Sequence, residues 1–230
     1  MPRPSTDTRE RLLTAAVDYA AEHGLADLSL RALAAALGTS HRMLIFHFGS
    51  KEGLLVEVVR TVEAQQRTLL DDLRANPELD PLDQMRAFWQ HLTSPALWPY
   101  ERLFFEVYAQ GLQGKEPAKR LLEDAIDAWL QPIADLLASQ GVPSDEARAE
   151  ARLAIAVTRG LLLDLLATGD VDAVGAAMDR FTALYLHARP EFAVVDAAQS
   201  GGRRPPTESA SGQTLVSQLG GHRRITGGDR

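Results

Sequence analysis

Residues 29–55 read SLRALAAALGTSHRMLIFHFGSKEGLL, and this stretch decides how the chain is organised. Leu30, Leu33, Ala34 and Leu37 fall at i, i+3, i+4 and i+7, which predicts one apolar stripe on a short helix. Gly38 follows where a left-handed C-cap is expected, so that helix stops at Leu37. Ser40 is placed to cap a second short helix held down by Leu44 and Phe48, four apart on one face. The rest of that helix carries His41, Arg42, Met43, Ile45 and His47. After the break at Gly49, Ser50 caps a third helix from Lys51. Two short helices, a tight turn and a longer helix make the layout of a helix-turn-helix, with the motif at about 29–48.

The side chains on the second helix are those that read DNA. Arg42, or Arg31 on the preceding helix, can pair bidentately with guanine O6 and N7, and Met43 can touch a thymine methyl. A lysine or a helix-terminal N–H binds phosphate without reading sequence. Any one exposed arginine is more often a solvated charge. Cap, stripe, turn and second stripe at the required spacing together carry the DNA-binding reading.

Over these residues the chain resembles the TetR family of transcriptional regulators, whose DNA-binding domain ends in a segment close to GTSHRMLIFHFGSKEGLL. The likeness runs from Thr6 to about Val59, with a first helix from Thr8 to His23 and a break at Gly24. The resemblance implies that the second short helix enters the major groove, bringing His41, Arg42 and Met43 to base edges. Ser29, His47 and Lys51 are implied phosphate ligands, and Ser40 is counted with the DNA-binding residues. Family members usually have a phosphate-binding Tyr where Ile45 stands, and Ile has no hydroxyl to make that contact.

Composition lies in the ordinary globular range and allows one sizeable core or two modest domains. The chain has 230 residues, 45% of them hydrophobic and 24% charged, and a net charge of −7. Charge is best read locally. Residues 1–51 hold Arg3, Arg9, Arg11, Arg31, Arg42 and Lys51 against Asp7, Glu10, Asp18, Glu22 and Asp27, a balance of +1, which leaves −8 on the remainder. Such a head grips DNA weakly alone and calls for a second copy. With no cysteine, disulfides, thiolate catalysis and Cys-based zinc sites are excluded. No run of 18 apolar residues and no signal-peptide core occurs, so a soluble cytoplasmic protein without membrane contact is expected.

The fold expected is all-α, with a helix-turn-helix domain over 1–55, a helical ligand-binding and dimerisation domain over 56–189, and a flexible Gly- and Arg-containing tail over 190–230. Six helices are predicted after the motif: Lys51 to about Ala75, Pro81–Thr93, one opened by Ser94-Pro95 and closed at Gly111, Pro117–Ser139 kinked at Pro132, Asp145–Ala167 capped by Ser144, and Val171 to about Ala188 capped by Asp170. The first of these is the expected lever between the two halves. The aromatics gather in three neighbouring helices, and two readings compete, a packed core and a ligand cavity. TetR-like regulators commonly hold a small molecule there. That points to Trp89, Phe104, Phe105, Tyr108 and Trp129, with His91 or Arg159 as a polar handle. Arg159 sits in LAIAVTRGLLLDLLA, apolar nearly all round, where pairing with Asp164 across a dimer is the competing role. Leu153, Val157, Gly160, Leu161 and Asp164, with Met178, Phe181, Leu184 and Tyr185 on the last helix, are the expected homodimer face.

An enzyme is not expected. His41 and His47 lie six apart, about 240° round a helix, and cannot clamp one metal. No G-x-S-x-G, Walker A or G-x-G-x-x-G sequence occurs, and no cofactor is implied. Acids such as Glu63, four before Arg67, read as solvated helix-face pairs. The chain thus reads as a homodimeric regulator on a palindromic operator in double-stranded DNA, a repressor released by an unidentified apolar or amphipathic effector. A ligand-independent regulator and a helical protein-interaction adaptor are the alternatives.

Overall fold

The computed structural model describes residues 6–24 and 29–188. Its helices are α1 (Thr6–His23), α2 (Leu30–Ala36), α3 (His41–Phe48), α4 (Lys51–Ala75), α5 (Pro81–Leu92), α6 (Trp98–Leu112), α7 (Ala118–Ser139), α8 (Ser144–Thr168) and α9 (Val171–Ala188), with a 3-10 turn at Pro95–Leu97. No strand occurs among the described residues. Arg3, Asp27 and the tail predicted from 190 lie outside them.

The helix starts follow from local chemistry. The N–H groups of Ala32, Met43 and Gly53 donate to the hydroxyls of Ser29, Ser40 and Ser50 at 3.2, 3.2 and 3.0 Å. Asp80 and Asp170 accept from the N–H groups of Asp83 and Ala173 at 2.9 Å. Gly38 adopts φ +63°, the left-handed turn that ends the first motif helix. Other boundaries differ from expectation. The first helix begins at Thr6 rather than Thr8. Ser144 caps nothing, because Pro143 occupies the cap position and its carbonyl accepts from Glu146 and Ala147. Ser94-Pro95 opens only a 3-10 turn before α6. Gly111 does not end α6 but lies buried within it, where a Cβ would come within 2.8 Å of the Leu122 side chain and the Ala118 carbonyl, so α6 and α7 approach closely there.

One apolar core runs through both halves of the chain. It takes Leu12 and Ala16 from α1, Leu33 from α2, Leu44 and Phe48 from α3, Leu54 and Val58 from α4, Leu103 and Val107 from α6, and Leu121 from α7. α4 is the shared element, packing on α1, α3, α5, α6 and α7. A smaller cluster of Leu92, Leu162, Leu165 and Val174 ties α5 to α8 and α9. α8 buries Ala147, Ala151, Leu162 and Leu165, but Leu153 and Leu163 are half exposed on its other side.

Candidate nucleic-acid interface and ligand cavity

α3 is anchored by Leu44 and Phe48, which point into the core, and this turns His41, Arg42 and Ile45 to solvent. Arg31 is exposed on the first turn of α2; Met43 and Lys51 are half-buried. Ser29 and Ser40 use their hydroxyl oxygens as caps. His47 stands apart from the expectation of a phosphate ligand. Its Nε2 is enclosed without a hydrogen-bond partner, and its ring packs on Phe46 and Phe48 at centroid distances of 5.2 and 6.2 Å. Phe46, missing from the expected set, is 60% exposed. Its spacing of four from Arg42 was the available signal, since that separation puts both on one face. Behind the reader, Arg9 pairs with Glu57 and lies over the Phe48 ring at 5.3 Å, so α1, α3 and α4 are braced together.

A cavity of about 360 Å³ lies among the helices of the body, within the range of small-molecule sites. Trp89, Phe104, Phe105, Trp129 and Arg159 line it. His91 and Tyr108 do not. His91 is half-buried elsewhere, and burial lowers its imidazole pKa. Tyr108 stands behind the wall, its ring 5.6 Å from that of Phe104. The Arg159 guanidinium lies over Phe104 at 5.2 Å and Tyr108 at 5.6 Å, on the inner side of α8, whereas Asp164 is exposed.

The polar groups of the cavity are ones the sequence pattern did not single out. Glu63, read as a solvated surface acid, is only 13% exposed and lines the cavity. Its carboxylate accepts from Trp129 Nε1 and has Arg67 at 3.7 Å. Burial raises its pKa, opposed by the Trp129 hydrogen bond and by the charges of Arg159 and Arg67. Glu101 is 6% exposed and accepts from Gln66 Nε2 at 2.8 Å. Burial pushes its carboxyl up to about 7, against the Gln66 hydrogen bond, and the nearby Glu63 charge adds to the rise. Next to it, Tyr100 donates to the Val17 carbonyl of α1 at 2.8 Å; burial, then the charge of Asp18, pushes its hydroxyl up to about 12.

Of the residues expected on the dimer face, Leu153, Gly160, Asp164 and Leu184 are exposed, and Val157, Leu161, Phe181 and Tyr185 are partly buried. Met178 is not on that face. It is buried and lines the cavity, because the i, i+4 stripe Val174, Met178, Thr182 turns inward. Among the described residues, no group of three His, Asp or Glu is placed to hold a metal, and no helix is long and apolar enough to cross a membrane.

Residues 12–58 match the family described as bacterial regulatory proteins, tetR family. The chain is 32% identical over 89 residues to the HTH-type transcriptional regulator BetI of Stenotrophomonas maltophilia, a match covering 38% of this chain and 45% of that protein. It is also similar to a solved transcriptional regulator from Rhodococcus sp. Rha1, with TM-score 0.65 and 22% identity, covering 79% of this chain and 97% of that one. A regulator from Saccharomonospora viridis, solved in complex with choline, has TM-score 0.58 and 22% identity and covers 80% and 98% of the two chains. With its motif helices capped and packed as described, the segment 12–58 is similar to the tetR family of bacterial regulatory proteins, and the helical body shares its fold with these solved structures.

Proposed function

We propose that the protein is a homodimeric transcriptional repressor that holds a pseudo-palindromic operator and lets go when a small molecule fills the body cavity. The exposed face of α3, with Arg42 and His41 outward on a helix pinned by Leu44 and Phe48, is the observation that carries the DNA-binding part. A local balance of +1 is too little for one head, so two must act together. Their recognition helices then stand about 34 to 36 Å apart in successive major grooves. Selection of bound fragments from a random DNA pool should return a two-fold symmetric motif. An asymmetric motif, or none, would defeat the reading.

Pairing has a surface to use. Leu153, Ala156, Gly160, Leu163 and Ala167 form an exposed strip along α8, with Leu184 exposed on α9. Nothing lies within 4 Å of a Cβ built on Gly160, leaving room for another backbone. Leu163→Asp on each copy puts like charges into that strip. It should convert the dimer to a monomer in sedimentation and reduce operator affinity at least a hundredfold, while helix content is kept. A dimer that survives the change would place the interface elsewhere.

Release requires the ligand to prefer a body whose heads sit differently, and coupling of this kind is typically worth about 1 to 3 kcal/mol. Two connections are available: α4, which carries Glu63 and Gln66 at the cavity and begins at the motif, and α6, which carries Glu101 at the cavity and Tyr100 on the Val17 carbonyl. The cavity favours this reading over ligand-independent regulation, and an adaptor role leaves the α3 face unused. The choline held by the Saccharomonospora relative supports a small-molecule effector. A cytoplasmic location follows from the proposed work on DNA.

A further inference from the structure

We infer that the cavity selects an organic cation, an ammonium or similar group on an apolar body, with Glu101 as its counter-charge and the Phe88, Trp89 and Phe105 rings among the walls around it. This rests on the ligand-release reading and adds the chemical class.

The argument begins with charge. Three acids line the cavity, Glu63, Glu101 and Asp179, against two arginines, Arg86 and Arg159. The arginines are engaged. Arg86 pairs with Asp83 at 3.0 Å on the exposed side of α5, and the Arg159 guanidinium is spread over the Phe104 and Tyr108 rings. Glu63 has Arg67 beside it and Trp129 Nε1 on its carboxylate, whereas Glu101 accepts from the neutral Gln66 amide, feels the Arg159 charge only at longer range and forms no ion pair among the described residues. A carboxylate this buried is costly unless something compensates it. Glu101 is therefore the buried acid of the cavity that lacks an ion pair.

The walls point the same way. Aromatic faces attract cations through their quadrupoles, most strongly Trp, and recognition of quaternary ammonium groups by aromatic cages uses this effect. An anionic ligand would meet two buried carboxylates and the negative faces of the rings, with Arg159 alone to favour it. A neutral apolar ligand would gain nothing from the ionised form of Glu101.

The inference also fixes a pH dependence. The groups facing Glu101 are Glu63 and Gln66 from α4 and Arg159 from α8, with Arg67 acting through Glu63. With its carboxyl near 7, Glu101 is partly protonated in the empty protein at neutral pH. A cation binds the ionised form and displaces that proton to solvent. Affinity should rise from pH 6 to pH 8 and level off above.

Trp89 and Trp129 line the cavity, so their fluorescence reports occupancy without DNA. The full chain is titrated with decyltrimethylammonium, decanol and decanoate, which share one apolar body and differ in charge. The cation is expected to bind at least tenfold more tightly than either of the others at pH 8. Glu101→Gln, checked for folding by circular dichroism, should remove most of that advantage and flatten the pH dependence. The inference is overturned if the cation fails to saturate the signal, if decanol binds as tightly, or if decanoate binds best and loses its affinity in Arg159→Gln. Operator release is scored separately. A cation that binds without releasing DNA defeats the repressor mechanism and not the ligand class; decanoate that binds and releases DNA defeats only the class.

Discussion

Arg42→Ala is expected to reduce affinity for the selected operator by at least thirtyfold in a titration at fixed salt. A bidentate arginine–guanine pair discriminates by about 1 to 3 kcal/mol, and a symmetric dimer loses two of them, roughly 2 to 6 kcal/mol in all. Stability should hardly change, because Arg42 is exposed and forms no ion pair among the described residues. The loss should also be selective. Operators altered at the contacted base pair should bind the variant and the parent alike, whereas Lys51→Ala should weaken all sequences about equally and reduce the salt slope by about one per head. Unchanged affinity and preference in Arg42→Ala would remove α3 as the reader.

Glu101→Gln should make the empty protein more stable, by an amount that grows with pH. The folded-state pKa of Glu101, about 7, lies above the ordinary value of 4.5, so the fold favours the protonated carboxyl. Its stabilising contribution is fully present below about pH 4.5 and is lost as pH rises through 7, where the native state must hold a desolvated charge. At about 1.4 kcal/mol for each tenfold in proton affinity, the loss is about 3 kcal/mol at pH 7 and somewhat more above it. For a body of this size that corresponds to roughly 6 to 12 °C in melting temperature. Melting curves of parent and variant should nearly coincide at pH 4.5 and separate progressively to pH 8. A gap that is constant across this range would mean that Glu101 is not titrating in the fold.

The local signals in the chain were legible and the facing of its helices was less so. Caps at Ser40, Ser50, Asp80 and Asp170 are side-chain events within three residues, and α4 spans Lys51–Ala75 as its pattern predicts, while the cap at Ser29 went unread. Glu63 shows where such reading stops. A Glu four before an Arg looks the same on a solvent face as on one that Trp129 and Arg159 later cover. The clue was its place beside Val59, Val62, Gln66 and Leu70, a stripe otherwise buried. His91 failed as a cavity residue for a related reason. Leu82, Met85, Trp89 and Leu92 form the lining stripe of α5, and a residue two beyond Trp89 is turned about 200° from it. Met178 was assigned outward from its neighbours Phe181 and Leu184, although Val174 and Thr182 mark an inward stripe. Such errors concern which helix covers which face, a property of the assembled bundle.

Tyr100 and Glu101 are consecutive residues, one hydrogen-bonded to the DNA-binding half and the other lining the cavity. On the proposed release mechanism, only one peptide link therefore separates the cavity from the DNA-binding half. The cavity walls drawn from α5, α7, α8 and α9 can be redecorated for new compounds without touching that link, and any occupant that displaces α6 would speak through it. On the proposed release mechanism, the walls outside α6 could then vary with the compound while Glu101 and Tyr100 keep both the charge preference and the means of reply.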